Sequence, residues 1–197
     1  MNTVLFVDCC ISQKGYGSCT AQLCRSFLSS YANSHPAAHI DTLDLKTVSL
    51  APFTSEKLNL RDRLLETRRL GDPMFALANQ FASADYIVIG APYWDLTFPA
   101  QLKLYIEHIS VRYISFLYDE RGRRGICKAQ KLIYLSTAGE EAGDAIMPIL
   151  EWEALCGTFG IRTFDHIIAG GLDTHPDQAQ AILGDACRRA TALGRIW

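Results

Sequence analysis

Nowhere does the chain reach the roughly 18 consecutive apolar residues that a membrane helix requires. No basic segment precedes the apolar stretch near its N-terminus, as a secretory signal would have it. The expectation is a cytoplasmic protein without a membrane span. Excess positive charge is also missing: 19 Lys and Arg stand against 21 Asp and Glu, for a net charge of -2. Electrostatics therefore gives no reason to expect nucleic acid or an anionic membrane as partner. The seven cysteines (Cys9, Cys10, Cys19, Cys24, Cys127, Cys156 and Cys187) contain no C-x-x-C pair and no Cys/His set at zinc-finger spacing. Their odd number and scatter favour reduced thiols, and no metal site is expected. Two phosphate-binding fingerprints, G-x-G-x-x-G and G-x-x-x-x-G-K-[ST], are absent from the loop after the first apolar run, which argues against the dinucleotide fold and the nucleoside-triphosphate loop.

What remains is an ordinary globular composition, 49% hydrophobic and 20% charged over 197 residues, enough to bury a full core as one domain over 1–197. TVLFVD (Thr3 to Asp8) is an apolar run suited to a strand buried on both faces. A small polar loop from Cys9 to Thr20 follows, then Leu23, Phe27, Leu28 and Tyr31 at helical spacing. His39 to Thr47 alternates as an outer strand. A charged helix carries Leu58, Leu60, Leu64 and Leu65, with Ser55 as its cap and Gly71 as its end. Met74 to Ala84 is a second short helix, and Asp85 to Gly90 a central strand. Pro99 opens a helix marked by Leu102, Ile106, Ile109 and Tyr113. Ile114 to Ile126 reads as a hairpin-like excursion turning around Gly122 and Gly125. A strand and polar loop over Gln130 to Gly143, a helix from Ala145 to Gly157, a strand over Gly160 to Gly171 and a helix over Pro176 to Trp197 complete the chain. Five strands alternating with helices predict an α/β fold: a parallel sheet in the order 2-1-3-4-5, covered by helices on both faces.

That topology brings three loops to one edge of the sheet: Cys9 to Thr20, Ala91 to Phe98, and Ser136 to Glu140. Ser18 and Thr20 offer hydroxyls and backbone N–H groups to an anion where a helix dipole favours negative charge. Either residue could equally cap the helix, and both roles can hold together. APYWDLTFPAQLK (Ala91 to Lys103) gathers Pro92, Tyr93, Trp94, Asp95, Phe98 and Pro99 where a strand hands over to a helix. It is either a stiff connection whose aromatics cap the core or a ligand loop. With a phosphate-suited loop on one side and a small polar loop on the other, it suits a flat ring.

At these residues the sequence resembles the FMN-dependent NADH azoreductase and NAD(P)H quinone oxidoreductase family of flavodoxin-like proteins. The resemblance rests on the Ser/Thr-bearing first loop, the A-P-x-[YW]-x-[FL]-x-x-P-x-x-L-K stretch at Ala91 to Lys103, the [TS]-F-x-Y-x-x-x-G segment at Ser115 to Gly122 and the strand ending near Ser136. It implies a flavodoxin-like three-layer sandwich, FMN as cofactor and NADH or NADPH as co-substrate. The implied reaction is ping-pong hydride transfer through FMN N5 to quinones, azo or nitro compounds, with no side chain acting as acid or base. It further implies that Cys10, Gly17, Ser18, Cys19 and Thr20 hold the phosphate. Backbone groups of Pro92, Tyr93, Trp94, Asp95 and Leu96 would hold the ring edge, and Ser136, Thr137, Ala138 and Gly139 would flank its pyrimidine end. Family members are homodimers with active sites at the interface, so Phe116 and Tyr118 are expected to reach the partner's flavin and, with Trp94, to stack on substrate.

The chain departs from the family at Asp95, where Asn is common, at Ser136-Thr137-Ala138-Gly139 in place of S-R-G-G, and at Asp8-Cys9-Cys10 beside the phosphate loop. A carboxylate about 4 Å from the anionic reduced ring costs roughly 4 kcal/mol at an effective dielectric near 20, or on the order of 90 mV. The side chain of Asp95 is therefore expected to turn away. Two other readings of the same features are a flavin-binding electron carrier or regulatory subunit, and a flavodoxin-like protein that has lost FMN. The near-neutral charge and the Ile114 to Ile126 excursion favour the enzyme.

Overall fold

In the computed structural model, which describes residues 2–11 and 18–197, strand β1 (Thr3–Asp8) lies inside the sheet. It pairs in parallel with β2 (His39–Asp44) on one side and β3 (Tyr86–Gly90) on the other. β6 (Lys131–Thr137) pairs with β3, and β7 (Thr163–Ala169) with β6, all parallel. The order β2-β1-β3-β6-β7, counted among the strands of this sheet alone, is 2-1-3-4-5. Strands β4 (Phe116–Asp119) and β5 (Gly122–Gly125) form the separate antiparallel hairpin expected of the excursion.

Alternation along the apolar strands feeds two cores. Leu5, Val7, Ile87, Ile89, Leu132 and Tyr134 point to one face. There they meet Phe81 of α3 (Ala76–Ser83), Leu102 and Tyr105 of α4 (Ala100–Ile109), and Trp152 and Phe159 of α5 (Ile146–Phe159). Val4, Phe6, Val88, Ile133 and Leu135 point to the other. They pack on Leu23 and Phe27 of α1 (Cys19–Ser34) and on Leu183 and Ala186 of α6 (Ala179–Ile196). This is the period-two rule of a strand buried on both sides. α2 (Ser55–Glu66) buries only Leu64, in a satellite cluster with Phe75, Val111 and Ile114.

Several local expectations shift. The side chain that caps α2 is that of Thr54, which accepts the Lys57 N–H, so Ser55 is already helical. That helix ends at Glu66, five residues before Gly71. Its exit turns through Arg68 at φ 55°, a conformation open to side chains other than glycine at modest cost. Tyr113 falls outside α4, because buried Ser115 takes over there: its Oγ donates to the Ile109 carbonyl and accepts the Val111 N–H at 2.9 Å. The hairpin turns at Glu120 and Arg121, with Gly122 at φ 106°. Gly125 instead lies against the end of α5: a Cβ added to it would come within 2.0 Å of the Gly160 nitrogen.

Candidate functional site

All five sheet strands are parallel, so the loops after β1, β3, β6 and β7 gather at one edge. β1 sends the chain to opposite sides, to β2 and to β3, which makes the β1/β3 crevice the topological switch point. A cavity of about 450 Å³ opens there, lined from all four loops and the start of α6, within the range of cofactor pockets. Ten of the sequence-picked residues line it: Cys10, Ser18, Cys19, Thr20, Pro92, Tyr93, Trp94, Thr137, Ala138 and Gly139.

The others lie elsewhere. Asp95 and Leu96 border an adjoining cavity with Tyr93, Glu140 and Asp173. Ser136 is fully buried and lines neither cavity; its Oγ accepts from the Tyr134 hydroxyl at 3.3 Å. Gly17 lies outside the described residues. Phe116 and Tyr118, stacked edge-on at 5.8 Å, sit on the hairpin. Within one chain they line neither cavity, since β5 packs against the C-terminal end of α5, at the opposite edge of the sheet.

The loops are tied to one another by backbone. Tyr93 N–H donates to the Thr137 carbonyl (3.0 Å), Ala138 N–H to Ala169 (2.9 Å), and Asp173 N–H to Gly139 (3.0 Å). The Thr20 and Thr137 hydroxyls, both buried, share a 2.6 Å hydrogen bond that locks the start of α1 onto the end of β6. Gly139 is small for a reason: a Cβ there would lie 2.2 Å from the Asp173 carboxylate.

Ser18 is the N-cap of α1, its Oγ accepting the Ala21 N–H at 3.3 Å. Among the described residues no acceptor meets the N–H groups of Cys19 or Thr20. Trp94 and Thr97 exchange backbone hydrogen bonds of 3.1 and 2.9 Å around Asp95 (φ 48°) and Leu96 (φ 67°). Two left-handed central residues between such a pair make a type I′ turn, a geometry that favours Asn-Gly. Asp tolerates it; Leu is strained there. The N–H groups of Asp95, Leu96 and Gly139 likewise find no acceptor among the described residues.

The electrostatics follow from what lines the walls. Among the described residues that line the main cavity there is neither Lys nor Arg, and Asp173 is the one carboxylate. Burial, then the Glu140 and Asp144 carboxylates, raise the Tyr93 hydroxyl above its ordinary pKa. Just after β1, burial pushes the Cys9 thiol up to about 12, with Cys10 and Asp8 adding to it. A hydrogen bond to Cys10, then burial, raise Cys24. Both thiols are protonated at neutral pH and so are poor nucleophiles. Asp8 accepts the Cys10 N–H at 2.8 Å and finishes the strand.

Leu172, Asp173, Ala179, Gln180 and Leu183 complete the walls and were not picked from the sequence. The signal was available: a fifth parallel strand must end at the same edge, so the Gly170-Gly171 loop and the start of α6 belong there.

A family model described as flavodoxin-like fold matches residues 2–193. The chain belongs to the flavodoxin-like fold family. Among curated relatives, it is similar to FMN-dependent NADH:quinone oxidoreductase 2 of Clostridium acetobutylicum, at 32% identity over 197 residues covering 96% of each chain. It is also similar to FMN-dependent NADH:quinone oxidoreductase of Clostridium beijerinckii, at 30% identity over 192 residues covering 96% of each. Among solved structures, an azoreductase from Bacillus anthracis superimposes with a TM-score of 0.89 at 24% identity, covering 100% of both chains. That last likeness speaks to the fold alone.

Proposed function

We propose that this chain is an FMN-dependent NAD(P)H oxidoreductase that reduces quinones, azo or nitro compounds, working as a single domain in a cytoplasmic homodimer. The observation that carries this reading is a helix N-terminus at the switch-point cavity whose Cys19 and Thr20 N–H groups meet no acceptor among the described residues, beside a turn on the adjoining cavity whose Asp95 and Leu96 N–H groups likewise meet none there. Helix N-termini take phosphate, and outward-facing N–H groups take the carbonyl edge of a flat heterocycle. The residues fit FMN on this account, and the printed names of the curated relatives support the same reading.

The Cys19 and Thr20 N–H groups and the Ser18 hydroxyl would hold the phosphate, aided by the helix dipole, since the described cavity walls offer no cation. Asp95, Leu96 and Gly139 would meet the ring edge through backbone. Trp94, 44% exposed, would form one wall of a mouth open to a flat acceptor. FMN, when bound, supplies hydride acceptance and release, so the protein's share is placement and electrostatics.

The homodimer draws support from α5, whose first two turns expose Ile146, Met147 and Leu150 at 51, 56 and 50%. An apolar group of this kind is the mark of a covered face. A partner would also bring Phe116 and Tyr118 towards a site they do not reach in their own chain. The cytoplasmic assignment is supported by seven free cysteines; no helix among the described residues is long and apolar enough to cross a membrane. The test is steady-state turnover: FMN-loaded protein, with no partner protein added, should oxidise NADH or NADPH when given a quinone. Bound flavin without turnover would leave an electron carrier instead.

A further inference from the structure

The outer sides of α1 and α6 enclose an open groove of about 590 Å³, separate from the site above. Leu23, Cys24, Phe27 and Tyr31 turn inward to the sheet. The opposite stripe of α1 therefore faces the groove, with Arg25, Ser26, Ser29 and Asn33, while α6 contributes Cys187 and Arg195. The floor is closely packed: Ser30 Oγ donates to the Thr191 carbonyl at 2.7 Å, and a Cβ on Gly194 would lie 2.6 Å from the Phe27 carbonyl oxygen.

The chemistry of the walls is one-sided. No carboxylate, aromatic ring or large apolar side chain is among the lining residues. Neighbouring Arg188 and Arg189 both pair with Asp185, at 3.1 and 3.6 Å. Arg25 and Arg195 have no hydrogen bond or ion pair among the described residues. Both helices leave the same sheet edge and run side by side. The Ser30–Thr191 contact sets their register, with Arg25 five residues before it and Arg195 four after. Nine residues at about 1.5 Å each place the two cations on the order of 13 Å apart along the groove.

We propose that this groove binds a phosphorylated polyol with a phosphoryl group at each end. The guanidiniums suit phosphates, as planar donors with no competing acid. The hydroxyls of Ser26, Ser29 and Thr191 and the Asn33 amide between them suit sugar hydroxyls, and the missing aromatics leave nothing for a nucleobase to stack on.

The test uses the full chain saturated with FMN, so that the switch-point cavity is filled. Fructose 1,6-bisphosphate is the probe; inorganic phosphate and fructose are the controls. Calorimetry reads affinity, and peptide mass spectrometry reads iodoacetamide labelling of Cys187. The expected result is saturable bisphosphate binding that slows Cys187 labelling, with inorganic phosphate much weaker and fructose silent. Arg25→Gln and Arg195→Gln should each weaken binding at least about 10-fold, the loss of a charge-assisted hydrogen bond. NADH oxidation by the probe-free variants should stay at wild-type rate. Absent binding, unprotected Cys187, equal affinity in the double variant, or inorganic phosphate binding as tightly as the bisphosphate would each overturn the proposal.

Discussion

Leu96 stands in the left-handed region while 67% exposed, so it carries backbone strain with little burial to offset it. Leu96→Gly should raise apo-protein stability by up to about 1 kcal/mol, a Tm gain of about 2–4 °C. The same change should weaken FMN binding if the turn holds the ring, because a freer turn no longer presents its N–H groups in place. Asp95 precedes it in the turn and borders the adjoining cavity rather than the main one. Asp95→Asn should therefore move the flavin midpoint potential by well under the roughly 90 mV of a direct carboxylate contact. A shift that large, read by equilibrium titration against a dye, would put the carboxylate on the ring. The motif around these residues was legible in sequence, but the turn type was not: Asp-Leu is an unusual pair for it, and only the chain's closure by Trp94 and Thr97 imposes the positive φ values. Ser136 misled for a simpler reason. Side chains alternate along β6, so Ser136 points with Tyr134 to the α4 and α5 face, whereas Thr137 points to the other face and reaches Thr20 of α1.

At the level of elements, the site depends on α1 being held to β6. The Thr20–Thr137 hydrogen bond is buried, so removing one partner strands the other. Thr137→Val or Thr20→Val should each cost about 1–3 kcal/mol, whereas the double variant should cost less than their sum. A double-mutant cycle from urea unfolding checks this, and additive losses would mean the bond contributes nothing. The order of strands and helices was readable because apolar runs and helical spacing alternate cleanly along the chain. Boundaries were less readable where a side chain outside the pattern decides them, as Thr54 does for α2 and Ser115 does for the end of α4. The loop after β7 escaped notice because it carries no aromatic or motif; parallel topology, not composition, brings Leu172 and Asp173 to the cavity.

Across the whole molecule, the edge of the sheet remote from the site is pinned by Asp85. Its carboxylate receives Lys128 Nζ at 2.8 Å and the Thr3 N–H at 2.9 Å. These contacts, the Lys128 hydrogen bond foremost and the Thr3 N–H next, hold its pKa below the ordinary 3.8. A carboxylate depressed in the folded state stabilises fully above its unfolded pKa, and that contribution is lost as pH falls through the lower folded value. Asp85→Asn should thus be less stable than wild type at neutral pH, by about 1 kcal/mol, with the gap closing as the pH drops below 3.8. Urea midpoints followed down the acid limb test the sign; a gap that widens in acid would contradict it. In the first turn of α5, Met147→Glu should shift the protein from dimer to monomer in sedimentation equilibrium if α5 is the covered surface, and leave it unchanged otherwise.

A flavin anchored by its phosphate at the N-terminus of α1 should owe much of its affinity to that phosphate. Equilibrium binding of FMN against riboflavin, which differs by the phosphate alone, tests it most directly. One FMN should bind per chain, with riboflavin at least about 10-fold weaker, the loss of a charge-assisted contact. Equal affinity for the two flavins, or binding of neither, would contradict it.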